Sequence, residues 1–246
     1  ITGYWILESN KKNSVKSYFN AFNSFFKLYD GFNIIFYYED DKVFESINRI
    51  EKNCNLKMIK KPIDQLYTYK YSDDLLNSCK NQDNEYLKSI EKGREKGLVH
   101  YDREYLQSGE DTYRKLFTIW TSKLFLIKEC IENKLINSEY VAWSDIAVQK
   151  YKRKPEMLTN TYWKNRIAML CKNCMYYMGK PIWITACYMS SNCEFWLKFI
   201  ELYKNEFMES KDSNYAHDEE TILYKVVSKN QKMIYNMDLS EHKQRD

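Results

Sequence analysis

Glycine and proline are scarce, six and three residues in a chain of 246. That scarcity excludes collagen-like repeats and Gly/Ser linkers, and it weighs against a sandwich of many short strands joined by tight turns. No apolar run approaches the roughly 18–20 residues of a spanning helix, so no membrane span is expected. Arginine is sparse too, with 7 residues against 31 lysines. A nucleic-acid binder favours arginine for base contacts and gathers its basic residues on one face. Here they are spread along the chain, the net charge is only +4, and no nucleic-acid partner is expected. The lysines go with abundant Asn, Ile and Tyr, all residues of A/T-rich codons. The chain starts at Ile1 rather than Met, which leaves room for a segment upstream.

Seven cysteines, Cys54, Cys79, Cys130, Cys171, Cys174, Cys187 and Cys193, are an odd number at low density. One would be left over from any set of disulfides, so reduced thiols and a cytoplasmic location are expected. Cys171, Cys174, Cys187 and Cys193 contain one CxxC pair, but zinc sites ordinarily show two tight pairs. Buried free thiols are the expectation.

What is present is a core. Hydrophobic residues make up 44 % and aromatic residues 16 % of the chain. Ile1–Leu7 reads as a short buried strand. Ser14 opens an amphipathic helix with Val15, Tyr18, Phe19, Phe22, Phe25 and Phe26 at helical spacing, and Gly31 ends it. Phe32–Tyr38 is apolar throughout, as in a parallel strand covered on both faces. A helix carrying Val43, Ile47 and Ile50 follows, then a strand Leu56–Ile59 closed by Pro62. Three strands alternating with two helices in about 60 residues predict a Rossmann-like α/β sheet, mixed and mostly parallel, flanked by helices. Residues 63–112 turn polar and read as a helical insertion that caps one sheet edge and ends in a mobile loop near 107–111. A long helix is expected over 112–134, strands over 139–148, 175–178 and 182–186, helices over about 191–209 and 218–228, and a last strand near 233–235. The whole of 1–246 reads as one domain.

Three positions break the pattern. Asp145 shares a strand face with Val141, Trp143 and Ala147, and a carboxylate there requires a partner or a metal. Lys123 lies within the apolar stripe of the long helix, so it requires an anion, either a buried carboxylate or a bound phosphate, unless its stem snorkels out. His217-Asp218-Glu219-Glu220-Thr221 opens a helix with acidic residues, which ordinarily serve as caps. His217 is also a candidate second metal ligand, and Asp218 and Glu219 are candidate general bases.

These segments resemble the HtrL/WlaTC-type glycosyltransferase family, within the nucleotide-sugar GT-A superfamily. The likeness rests on the opening Ile1-Thr2-Gly3-Tyr4-Trp5, on Ile119-Trp120-Thr121-Ser122-Lys123, and on Asn137-Ser138-Glu139-Tyr140 leading to Trp143-Ser144-Asp145. It continues through Thr185-Ala186-Cys187 to Phe199 and the acidic helix start at His217–Glu220. The superfamily's DxD motif is reduced here to one carboxylate. The resemblance implies a GT-A-like sheet and transfer of a sugar from a nucleotide diphosphate donor, UDP above all, to a glycan or protein hydroxyl. It implies Mn²⁺ or Mg²⁺ held by Asp145 and His217, with Lys123 and Arg114 facing the phosphates. Thr2, Gly3 and Tyr4 would bracket the nucleoside, with Glu39 and Ser144 near it, and Asp218 or Glu219 would be the base. The alternative from another class is a catalytically silent α/β domain that binds a sugar or a protein.

Overall fold

The computed structural model describes residues 1–82, 94–148, 166–169 and 175–236. β1 (Thr2–Tyr4), α1 (Val15–Leu28), β2 (Asn33–Tyr38), α2 (Asp41–Asn48) and β3 (Asn55–Lys60) alternate as the sequence predicts. The strands run parallel in the order β1-β2-β3, with Thr2 opposite Phe36 and Asn33 opposite Asn55. Each helix begins on a side-chain cap. Ser14 Oγ accepts from Ser17 N–H at 3.2 Å, and Asp40 Oδ1 accepts from Lys42 N–H at 2.8 Å.

β2 shows why its run is apolar. Ile35 and Tyr37 enter one core, while Ile34, Phe36 and Tyr38 enter a second on the opposite face. A strand whose successive side chains point to opposite faces can be apolar at every position only if both faces are covered. α1 covers the second face with Phe22, Phe25 and Phe26, and the Phe22 ring lies edge-on to Phe36 at 6.0 Å between centroids. The first face is covered by the later helices.

The 63–112 stretch forms 3₁₀ turns at Ile63–Gln65 and Tyr69–Tyr71, then α3 (Ser72–Lys80), α4 (Lys96–Val99) and a π-helix at His100–Gln107. Residues 83–93 lie outside the described residues. α5 (Glu110–Glu132) starts directly after Gly109. The loop predicted over 107–111 is instead the short joint Ser108-Gly109. Gly109 has φ 88°, a left-handed value that lets one helix follow another almost at once.

The second half is β4 (Tyr140–Ser144), β5 (Ile167–Met169), β6 (Met175–Tyr177), β7 (Lys180–Ile182), β8 (Tyr188–Asn192), α6 (Cys193–Ser210), α7 (Glu219–Lys229) and β9 (Ile234–Asn236). The order β4-β8-β5-β9 sets β8 antiparallel to both neighbours, β5 parallel to β9, and leaves β6–β7 as a hairpin. The protein is a mixed α/β fold whose sheets hold both parallel and antiparallel strands, as the sequence suggests. β8 has no separate sequence signal, since Tyr188-Met189-Ser190-Ser191-Asn192 is half polar. Pairing on both sides makes it a strand rather than propensity. The strand expected over 139–148 stops at Ser144. Asp145 N–H still donates to Cys187 O at 2.8 Å, and Val148 N–H donates to Asp145 O at 3.0 Å, a turn that ends the strand there. The strand expected over 182–186 likewise gives way after Ile182.

Ile1 joins the two sheets. Its N–H donates to Ala142 O at 2.6 Å and its carbonyl accepts from Ser144 N–H at 2.9 Å, the alternation of a parallel pair. The strand order therefore reads β3-β2-β1-β4-β8-β5-β9. Both cores continue across the joint: Trp143 and Met189 belong to the same core as Ile35 and Tyr37, and Tyr188 to the same core as Phe36 and Tyr38. Among the described residues, no helix is long and apolar enough to cross a membrane.

Candidate functional site

From β1 the chain runs outward to β2 and β3, and β4 lies on the other side of β1. Where connections part in this way, an open α/β sheet leaves a crevice at the carboxyl ends of its strands. A cavity of about 700 Å³ lies there, walled by Gly3, Tyr4 and Trp5 from the end of β1 and by Asp145, Ile146 and Ala147 after β4. The start of α7 supplies Asp218, Glu219 and Glu220, and the π-helix supplies His100 and Arg103. Gly3 is held to glycine by its neighbours. A Cβ there would come within 2.7 Å of the Trp5 ring and 3.1 Å of Tyr37 Cβ.

Two buried charge clusters line this cavity. In the first, Lys123 on α5 reaches Asp145 Oδ1 at 2.9 Å and Glu219 Oε1 at 2.8 Å. Asp145 Oδ1 also accepts from Trp143 Nε1–H at 2.7 Å. In the second, Lys96 on α4 donates to Asp218 Oδ2 at 2.5 Å and to Glu220, and His100 Nε2 lies 2.9 Å from the same Asp218 oxygen. Ionised Asp218 only accepts, so His100 carries its proton on Nε2. Asp218 Oδ1 meanwhile caps α7 by accepting from Thr221 N–H at 2.8 Å. Glu220 Oε1 accepts from Thr185 Oγ1–H and Ala186 N–H, both at 3.0 Å, and so ties the turn before β8 to α7.

These contacts set the protonation states. Burial pushes the Lys123 ammonium down, but Asp145 and Glu219 outweigh it and hold its pKa above the ordinary lysine value. Lys96 is raised in the same way by Asp218 and Glu220. Burial would raise Asp218, yet Lys96 and His100 hold its carboxyl well below the usual range. Glu219 goes the other way, because burial prevails over Lys123 and its pKa is raised. Burial lowers His100 against the pull of Asp218.

The predicted site residues thus separate into two groups. Gly3, Tyr4, Lys123, Asp145, Asp218 and Glu219 line one cavity. Thr2 is buried within β1 and is absent from that wall. Glu39 accepts from Ile63 N–H at 3.2 Å, which fixes the exit from β3. Arg114 pairs with Asp73 and Glu110 on the first turn of α5. Ser144 accepts from Tyr29 Oη–H at 2.7 Å and lines a different cavity. His217 packs its ring against Tyr215 and Tyr177, with Nδ1 3.1 Å from Thr221 Oγ1. Burial drives its pKa down to about 3.

A divalent cation does not suit this donor set. Asp145 has Lys123 within 3.1 Å of each carboxylate oxygen and an indole N–H on one of them. A metal at the same oxygens would meet the ammonium charge directly. His217 does not line the cavity, and no group of three or more His, Cys, Asp or Glu suited to a metal occurs among the described residues. Cys54, Cys79, Cys130, Cys187 and Cys193 are free thiols. Cys171 and Cys174 lie outside the described residues.

Sequence reasoning missed Lys12, Lys96, His100, Arg103 and Glu220. Lys12 had one positional signal, because it follows β1, and the first β–α turn of such sheets meets the ligand. Lys96, His100 and Arg103 sat in the polar insertion, where nothing local distinguishes a lysine that turns inward from one that faces water.

The cavity thus lies where parallel strands part, the place at which open α/β sheets leave a crevice. Compared with known families the chain matches none. Among curated proteins no match is found.

Proposed function

We propose that this protein is a glycosyltransferase of GT-A-like architecture, moving a sugar from a nucleotide diphosphate, UDP above all, to a hydroxyl of a glycan or protein. The observation that carries this reading is the cavity between the ends of β1 and β4, at about 700 Å³ within the roughly 300–1,000 Å³ range of ligand sites. Gly3 and Tyr4 would meet the nucleoside at the end of β1. Glu219 is the base. Burial raises its pKa above the ordinary carboxylate value, and Lys123 holds one of its oxygens in place. Asp218, the other candidate base, already accepts from Thr221, Lys96 and His100, so its role is to position the start of α7.

In this reading the acceptor hydroxyl gives its proton to Glu219 while its oxygen bonds to the anomeric carbon. The bond from that carbon to the diphosphate oxygen breaks, and the nucleotide leaves with the electron pair. Displacement from the opposite side inverts the anomeric centre. A silent sugar-binding domain is the second reading, favoured by the pairing of Asp145, Asp218 and Glu220 with lysines.

The test measures nucleotide release from UDP-sugars with and without simple hydroxyl acceptors. Glu219→Gln should depress turnover by about 10²–10⁴ with little change in UDP affinity. The reading fails if no nucleotide sugar is turned over. A melting temperature raised by free sugars alone would select the silent domain.

A further inference from the structure

The lysines and arginine of the cavity wall are not equivalent. Lys96 and Lys123 are each held by two carboxylates, and Arg103 Nη2 lies 2.6 Å from Glu104 Oε1. Lys12 has no carboxylate partner among the described residues. Its ammonium stands 4.6 Å from the centroid of the Trp120 ring, and both residues line the cavity. A cation over an indole face is only modestly compensated.

Lys12 is nevertheless placed rather than loose. Its backbone N–H donates to Asn10 Oδ1 at 2.9 Å, and Lys11 N–H donates to Ser108 Oγ at 3.1 Å. Asn13 Nδ2–H donates to Tyr18 Oη at 3.2 Å. The turn after β1 is therefore pinned to the joint after the π-helix on one side and to α1 on the other. Lys12 is exposed as a residue and lines the cavity. Desolvation, and then repulsion from Lys96, lowers its pKa, with Arg103 acting in the same sense, while Glu220 and Glu219 partly offset the effect. A group so placed gains from an anion.

We propose that Lys12 neutralises a diphosphate group in this cavity, taking the part that a divalent cation would otherwise play. The proposal deepens the glycosyltransferase reading and rests on it for the identity of the donor. It follows from two independent observations. The carboxylate a metal would need is held by Lys123 and Trp143, and Lys12, which has no carboxylate partner among the described residues, lines the same cavity over Trp120. A positive charge aimed at a leaving diphosphate stabilises the charge that develops as the sugar departs.

The test titrates inorganic pyrophosphate and UDP into the protein, each in EDTA and again with Mn²⁺, reading melting temperature and calorimetric affinity. Both probes should bind in EDTA, with Mn²⁺ adding less than twofold. Lys12→Met should weaken both about tenfold, which is about 1.4 kcal/mol, and Lys12→Arg should keep most of the affinity. The substitution lies on an exposed turn, and circular dichroism of the variant will confirm that it folds. Binding that requires Mn²⁺ and ignores Lys12 overturns the inference while leaving the glycosyltransferase reading intact. Lys12-dependent pyrophosphate binding without any nucleotide binding keeps the anion site and removes the nucleotide-sugar donor. No binding of either probe under either condition removes both.

Discussion

Two helices of this protein start on the same local device and live in different surroundings. α1 is capped by Ser14, an exposed residue whose side chain accepts from Ser17 N–H three positions on. α7 is capped by Asp218, whose side chain accepts from Thr221 N–H, also three positions on. There the likeness ends. Asp218 is 2 % exposed, and its second oxygen holds Lys96 and faces His100, residues 122 and 118 positions away in the chain. The first cap organises one turn of backbone. The second also joins α7, α4 and the π-helix into one wall of the cavity. A shared local motif therefore says little about the weight a residue carries, because that weight comes from what the fold brings to its other atoms.

The strongest way to break the comparison is Asp218→Ala. It removes the cap, leaves His100 Nε2–H without its acceptor, and leaves Lys96 with Glu220 alone in a buried site. Opening a buried ion pair in this way should cost about 3–5 kcal/mol, read as a fall in the urea midpoint. Asp218→Asn keeps an oxygen for Thr221 N–H but not the charge, so it should fall between wild type and Ala. A loss of no more than about 1 kcal/mol in the Ala variant would make Asp218 an ordinary cap like Ser14.

The second way is pH. His217, one residue before Asp218, has its pKa lowered to about 3, first by burial and then by Lys225. A folded-state pKa below the unfolded value means the folded protein holds the neutral ring. The associated stability is complete above about pH 6.5 and drains as pH falls toward 3. The full gap corresponds to a loss on the order of 5 kcal/mol. His100, also lowered, acts in the same sense. Asp218, held below its ordinary value, adds its loss further into acid, while Glu219, raised, opposes the trend. Urea midpoints at pH 7, 5.5 and 4 should decline, and His217→Gln should flatten the decline. An equal slope in that variant would mean that His217 does not drive it.

How much of this was legible in the sequence follows from the same contrast. Periodicity and caps are local, so α1, β2, α2, β3, α5 and α7 stand close to where the pattern puts them. β8 was missed because its strand character comes from β4 and β5 on either side rather than from its own residues. At the site, Asp145 and Lys123 stood out because a charge among apolar residues needs a partner, and they are partners of each other. The carboxylate that completes their cluster, Glu219, was visible only as part of an acidic helix start. Lys96 and His100 were not visible, because sequence neighbours do not reveal which polar residues of an insertion fold inward.

The smallest expected effect sharpens the comparison from the other side. Ser14→Ala removes one acceptor from the first turn of α1, and the Ser17 N–H it leaves is next to water, which can take its place. No charge is uncovered and no distant element loses a contact. The loss should be about 1 kcal/mol, with an equal value at pH 7 and pH 4, since nothing in this cap titrates. UDP affinity should stay unchanged, because Ser14 is not among the residues that wall the cavity. A loss of 3 kcal/mol or more, or a fall in UDP affinity, would show that the turn from β1 into α1 is strained and that Ser14 holds it. Lys12, two residues earlier in that turn, would then depend on the cap for its position, and the two helix starts would prove equally tied to the cavity.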